Sequence, residues 1–426
     1  MILRQWPKQT LYRVLFVIIL SAGLVSGLTY AGKIDLAFQK TLTSASMFEE
    51  PIGVLITPSE GTGYVLGWQT SVAKPVRQVH IIVQDVQGKV INTYDLKGVA
   101  QYTGEGALTK QSNTYRMAVT LPAVDKGYSY GYAFTYGTTV GKTYRFKAPS
   151  DPSRTTIAFF GDLQGYNQKQ YTDYQVIFNQ VMKKQPDLTL FAGDIVDSGD
   201  AFSQWQYFFN AIKDYGGTNL FMAAPGNHDA VHVLPYFKHV FSPLQKGDYQ
   251  VTSFNQYVEI GNVLVAVWDT EDSARFEAQK KWLQEVTAKS KATYKIVLMH
   301  RSCYPMNYDE GYIRKLSDTF EACGIKLVLS GHDHIYNRTT MLKGSRVTQD
   351  KGVTYIVGGS GSGSKYYDET EIKGGRPWKQ VVYDTNLPVH LFLTATDKAL
   401  VIEAYAASGK GQMTLVDQLS IKATQQ

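Results

Sequence analysis

Hydrophobic and polar positions fall into three regimes along the chain. Arg4, Lys8 and Arg13 precede an uncharged, strongly apolar run over residues 14–32. From about 53 to 148, short runs alternate apolar and polar residues, as at 63–68, 79–83, 115–120 and 128–134, with turn residues between them. Successive side chains on a strand face opposite ways, so this period predicts half-buried strands, and about 95 residues of them predict an all-β sandwich. Residues 148–153, Ala-Pro-Ser-Asp-Pro-Ser, close that stretch, because paired prolines and small polar residues mark a boundary.

Beyond residue 155 the apolar runs become continuous, at 156–160, 188–192, 220–224, 263–268, 296–299 and 326–329. Helical segments near 170–184, 201–215, 274–289 and 311–323 lie between them. A strand apolar on both faces has to be covered on both, so the alternation predicts an α/β layered domain with crossover helices. After 335 only strands recur, at 353–357, 389–394 and 400–404. The expected organisation is a membrane-inserting segment (1–32), a spacer (33–50), a β-sandwich (51–150), a catalytic domain (154–410) and a C-terminal tail (411–426).

The N-terminal run reaches about 28 Å as a helix, close to the roughly 30 Å hydrocarbon thickness of a bilayer. With its basic flank it predicts membrane insertion, and both a cleaved signal peptide and an uncleaved anchor fit. Either places the remainder outside the cytoplasm, secreted or anchored to the cell membrane. The 426 residues carry 43 Lys+Arg against 37 Asp+Glu, a net charge of +6. That surplus is mild and does not indicate a nucleic-acid-binding module. The cysteines are two, Cys303 and Cys323. Cys303 follows the end of one strand, and Cys323 ends the helix returning to the opposite edge. About 18 Å of helix would part them, too far for a disulfide, so two free thiols are expected.

Chemistry gathers where the apolar runs end: Gly161-Asp162-Leu-Gln164, Gly193-Asp194-Ile-Val-Asp197, Gly226-Asn227-His228-Asp229, Met299-His300 and Gly331-His332-Asp-His334. Ligands of open α/β sheets sit beyond the carboxyl ends of strands, which would bring these segments to one crevice. Carboxylates, an amide and imidazoles without a thiolate suit Mn, Fe or Zn.

In this order the motifs resemble the signature of calcineurin-like metallophosphoesterases. With the β module in front and Tyr336-Asn-Arg338 behind, the chain looks most like a purple-acid-phosphatase-type member. Trp68 and the Tyr-rich strand near 128–134 make the β module resemble a fibronectin-type-III domain. The resemblance implies a four-layer α/β/β/α catalytic domain and two metal ions. Asp162, Asp194 and His334 would hold the first; Asp194, Asn227, His300 and His332 would hold the second, with Asp194 bridging. It further implies a phosphate-ester substrate, phosphomonoesters favoured over diesters, attacked in line by a metal-bound hydroxide. His228 would stabilise the transition-state oxygens or protonate the leaving group, and Asp229 would orient its imidazole.

Two positions depart from the family pattern. Gln164 stands where relatives often place His or Gly, either as a weak neutral ligand or beside the metal. Asp197 stands where purple enzymes place a tyrosine ligand, so no tyrosinate-to-iron colour is expected. Asp197 is expected to fix a ligand by hydrogen bond instead. Arg301 is a candidate phosphate grip, and His232 either borders the site or is a solvated loop residue. His80 and His390 are expected to be structural. The glycine-serine run 358–364 fits both a flexible linker and a mobile loop over the crevice. The rival reading is an envelope binding or adhesion protein with a degenerate metal site.

Overall fold

The computed structural model describes residues 51–423, except 60–62, 72–74, 103–113, 124–126, 137–138, 150, 152, 231–234, 242–253, 308–310, 350, 371–374 and 384. The membrane-inserting run, the spacer and His232 lie outside the described residues. Among those described, no helix is long and apolar enough to cross a membrane.

The N-terminal region is strand-rich. Ile52–Pro58, Tyr64–Ser71, Thr114–Thr120 and Val99–Tyr102 form one antiparallel sheet in that order, and Val90–Lys97, Gln78–Gln84, Ser129–Tyr136 and Thr139–Lys147 form a second. Alternation puts Val79, Ile81 and Val83 inside, against Trp68, Tyr130, Tyr132 and Phe134. The Trp68 indole is fully buried, and its Nε1–H donates to the Val76 carbonyl at 2.8 Å, so the ring brings no orphan donor into the core.

The remainder is a mixed α/β fold built on two sheets. The first is six-stranded, in the order Phe221–Ala223, Leu188–Phe191, Arg154–Phe160, Val389–Thr396, Ala399–Ala407 and Met413–Lys422. Its first three strands run parallel and the others antiparallel. The second is seven-stranded and centres on four parallel strands, Val263–Val267, Tyr294–Leu298, Leu327–Ser330 and Thr354–Gly358. On Tyr294–Leu298, Ile296 and Leu298 join the core shared with the first sheet, while Val297 joins Leu283 and Phe320 under the helices Phe276–Lys289 and Leu316–Ala322. That two-sided burial is why residues 296–298 of this strand are apolar without alternation. The helices Gln168–Met182 and Phe202–Ile212 cover the outer face of the first sheet, through Phe178 on Phe160 and Phe208 on Phe191.

Three expectations change or sharpen. The stretch expected as a tail, 411–426, holds a strand. Met413–Lys422 pairs along its length with Ala399–Ala407, its backbone N–H and C=O groups extending the edge of the first sheet. The run 358–364 is neither a linker nor a loop over the crevice. Ser360 bridges Asp162, the Gly361 N–H donates to the Asp162 carbonyl at 2.8 Å, and the hydroxyls of Ser362 and Ser364 both donate to Leu163 O. Its small residues serve close packing of backbone on backbone: a Cβ on Gly161 would lie 2.2 Å from Gly359 O. Cys303 and Cys323 are both free and buried.

The two regions meet where Ile56, in the strand Ile52–Pro58, bridges Leu220 and where the Tyr132 hydroxyl donates to Gly217 O at 2.6 Å.

Candidate metal centre

Strand register carries the site. Phe160, Phe191 and Ala223 are consecutive partners at the carboxyl edge of the first sheet, and Leu298 pairs Leu329 in the second. The residues just beyond those level ends are the motif segments. Gly193 and Gly226 let two of them approach: Gly193 has φ +90°, and a Cβ on Gly226 would lie 2.2 Å from Asp194 N and Oδ1. Gln164, Asp194, His332 and His334 themselves hold positive φ, at 36°, 46°, 72° and 55°. Such strain in non-glycine residues persists where surrounding contacts impose it.

Two groups of donors result. Asp162, Asp194 and His334 offer ligand atoms within 4.8 Å of one another, and so do Asp194, His300 and His332. Asp194 belongs to both. Its Oδ1 accepts the His228 backbone N–H at 2.8 Å, and its Oδ2 lies 3.4 Å from His300 Nε2. Asn227 Oδ1 stands 3.0 Å from that same Nε2.

Each imidazole is aimed by its other nitrogen. A carbonyl oxygen only accepts, so His300 donates from Nδ1 to Ala192 O at 2.8 Å and turns Nε2 inward. His334 donates from Nδ1 to Lys365 O at 3.0 Å and turns Nε2 toward Asp162 Oδ1, 3.8 Å away. His332 points Nδ1 at His300 Nε2, 3.2 Å off, and Nε2 at Arg301 Nη1, 3.3 Å off.

Burial and crowding govern the charges. Burial, added to the Asp194 charge, pushes Asp162 up to about 7 despite His300. Burial works against the Asp194 carboxylate too, yet His300 overcomes it and holds Asp194 well below the usual carboxylate range. Burial, helped by His300 and Arg301, lowers His332 to about 2, and burial lowers His334 to about 4. Two neighbouring carboxylates among imidazoles, with one shared, form a cation's donor set. Three oxygen-bearing side chains and three imidazoles suit Mn, Fe or Zn. The buried Gln164 Oε1, which has no hydrogen-bond partner, is a further donor left over.

His228 and Asp229 part company. His228 donates from Nδ1 to the Asp197 backbone carbonyl at 2.7 Å, and its Nε2 faces Gln164 Nε2 at 2.8 Å. Asp229 was expected to orient that ring, and it does not. Its Oδ1 accepts the N–H groups of Ile195 and Val196 at 3.0 and 3.3 Å, and its Oδ2 that of Gly226 at 3.1 Å. Adjacent residues of a turn face opposite ways, so the buried carboxylate ties two ligand-bearing turns together while the histidine looks into the cleft. Asp197 stays outside both donor groups, with Oδ1 3.2 Å from Gln164 Nε2.

Arg301 borders the cleft, but Glu271 holds it with two contacts, Nε to Oε1 at 2.9 Å and Nη2 to Oε2 at 3.1 Å. Sequence reading missed Glu271, Asp333 and Tyr367. Asp333 is buried and accepts the N–H groups of Met306 and Asn307. Its place between the two histidines of Gly-His-x-His was the available signal. Tyr367 packs on His334 with centroids 4.8 Å apart and carries no motif that could have flagged it. His80 pairs with Asp95 in the strand-rich region, and His390 packs between Phe160 and Tyr405. The cleft encloses about 320 Å³, bordered by Gln164, Asp194, Asn227, His228, Arg301, His332, His334 and Tyr367.

Solved structures share the fold. A purple acid phosphatase from yellow lupin (Lupinus luteus) seeds superposes with a TM-score of 0.70 at 17% identity, over 87% of this chain and 74% of that one. PhoD superposes with a TM-score of 0.60 at 12% identity, over 88% and 90%. In sequence, the chain is 23% identical over 338 residues to a protein named probable inactive purple acid phosphatase 1 of Arabidopsis thaliana, covering 67% of this chain and 54% of that protein. It is 30% identical over 115 residues to probable inactive purple acid phosphatase 24 of the same plant, covering 24% and 19%. The chain thus spans about half the length of the first relative and a fifth of the second. The family model for calcineurin-like phosphoesterases matches residues 155–336, the stretch that holds every donor of both groups, and the chain carries a calcineurin-like phosphoesterase domain there.

Proposed function

We propose that this protein hydrolyses phosphate esters, phosphomonoesters in preference to diesters, at a dinuclear metal centre. The observation that carries the reading is the sharing of Asp194 between two donor groups. Asp162, Asp194 and His334 would hold one ion, and Asp194, Asn227, His300 and His332 the other. Such a pair, when bound, supplies positive charge to the ester oxygens and acidifies water.

The chain's own residues do the rest. Asp194 fixes the His228 backbone, so the imidazole and the ligands move as one unit. The proton of His228 sits on Nδ1, bound to the Asp197 carbonyl. Proton delivery to a leaving group therefore requires Nε2 to gain a proton and give up Gln164 Nε2. Arg301, held by Glu271 and with Nη1 3.3 Å from His332 Nε2, borders the cleft, where its guanidinium would meet a substrate oxygen.

The N-terminal region is proposed to be a fibronectin-type-III-like domain. Lettered A, B, C, C′, D, E, F and G in chain order, its strands run A-B-E-D on one sheet and C′-C-F-G on the other, and Tyr130, early in Ser129–Tyr136, donates its hydroxyl to Pro122 O at 2.6 Å, a tyrosine-corner contact. The basic flank and apolar run at 14–32 support an extracytoplasmic, secreted or membrane-anchored protein. The proposed units are that sandwich (51–150) and a catalytic domain from 154 through the last strand.

Hydrolysis of a chromogenic phosphomonoester and a diester, measured with Mn, Fe or Zn, tests the reading. Turnover that fails in Asp194→Ala supports it. Absence of turnover with every ion and both esters overturns it in favour of a binding protein, a reading that fits the word inactive in the relatives' names.

A further inference from the structure

Gln164 sits at the junction of the two parts of the site. Its backbone N–H donates to Asp194 O at 2.7 Å and its φ is +36°, so neighbouring contacts hold the residue in place against strain. The side-chain amide has one possible sense. Asp197 Oδ1, an acceptor, lies 3.2 Å from Nε2. His228 Nε2 lies 2.8 Å from Nε2 and is also an acceptor, because the imidazole proton is used at Nδ1 by the Asp197 carbonyl. Both neighbours call for the NH₂ on that side. The carbonyl end, Oε1, is left buried and without a partner, on a residue that is 2% exposed and borders the metal cleft. A buried amide oxygen without a donor is costly, and a cation or a donor repays that cost.

Resting on the reading of this cleft as a metal centre, we infer that Gln164 is a ligand of the first metal through Oε1 and, through Nε2, the clamp that fixes His228. One planar group then couples ion binding to the orientation of the histidine that meets the substrate. The first ion's donors become Asp162, Asp194, Gln164 and His334, three oxygens and one nitrogen. The second ion's are Asp194, Asn227, His300 and His332, two of each. The first position is the harder one and discriminates less against Mn²⁺, relative to Zn²⁺, than the second.

Three substitutions separate the two roles. Gln164→Ala removes both. Gln164→Glu keeps an oxygen for the metal but brings no N–H to His228 and sets a second carboxylate beside Asp197. Gln164→His offers a nitrogen to the metal. The readout is calorimetric titration of Mn²⁺ and Zn²⁺ into the metal-free full chain, with thermal unfolding as the folding check and phosphomonoester turnover measured separately. The expected result is that the alanine variant weakens one Mn²⁺ equivalent by about tenfold or more. The glutamate variant keeps two equivalents yet turns over about tenfold more slowly. The histidine variant shifts that equivalent toward Zn²⁺. Unchanged Mn²⁺ affinity in a folded alanine variant overturns the ligand role, and wild-type turnover in the glutamate variant overturns the clamp. Two metal equivalents in a wild type that hydrolyses no ester would defeat the phosphoesterase reading and leave this one standing.

Discussion

The Asp194 carboxylate receives the backbone N–H of His228 on Oδ1 at 2.8 Å while Oδ2 stands 3.4 Å from His300 Nε2. One side chain thus ties the Gly-Asn-His-Asp turn of the first sheet to a histidine of the second. Asp194→Ala removes a donor from both groups and an acceptor from the turn. Turnover should fall by about 10³-fold or more, and metal content should drop at both positions. Elemental analysis beside an ester assay checks this. Two retained ions would reject the shared role.

Asp229 is expected to matter for stability before chemistry. Its carboxylate accepts three backbone N–H groups, those of Ile195, Val196 and Gly226. In Asp229→Ala these buried donors lose their acceptor, at a cost of about 3 kcal/mol or more in urea unfolding. Asp229→Asn, which keeps one accepting oxygen, should cost less. Unchanged stability with a large loss of turnover in both variants would return Asp229 to a role on the His228 ring.

Arg301 offers a split between binding and catalysis. Its guanidinium is held by Glu271 and faces the cleft through Nη1, beside His332 Nε2. Arg301→Ala should raise KM for a phosphomonoester by about tenfold with two metals still bound. A fall in kcat at constant KM would argue that it acts through His332 alone.

His390 sets an acid limit on the fold. Burial, assisted by the Lys184 charge, lowers it from 6.5 to about 3, and its ring stacks on Tyr405 at 5.7 Å. The unfolded chain takes up a proton below 6.5 that the folded chain refuses, so this stability is complete above that value and is lost as pH falls toward 3. At pH 5 the loss is about 2 kcal/mol. His390→Phe, which keeps a stacking ring and does not titrate, should flatten unfolding free energy between pH 7 and 5. An unchanged slope would mean that other groups set it.

Most of the elements, and the residues that bear the chemistry, were legible in the amino-acid pattern alone. Continuous apolar runs such as 296–299 signal burial on both faces, and polar residues just past their ends announce where ligands gather. The resemblance to calcineurin-like phosphoesterases rested on those same segments, and the family match at 155–336 agrees. Tertiary structure alone decided direction. Asp229 follows His228 in sequence, yet its oxygens face backbone and the imidazole faces the cleft, because a turn splays neighbouring side chains. The glycine-serine run 358–364 has the composition of a linker and became the backing of Asp162, since small residues permit backbones to touch as well as to move. Residues 413–422 offered no long apolar run and still became a strand, because an edge needs only one covered face. Contacts between residues far apart in the chain, such as Gln164 with His228, depend on the register of strands within the first sheet, and no local pattern encodes that register.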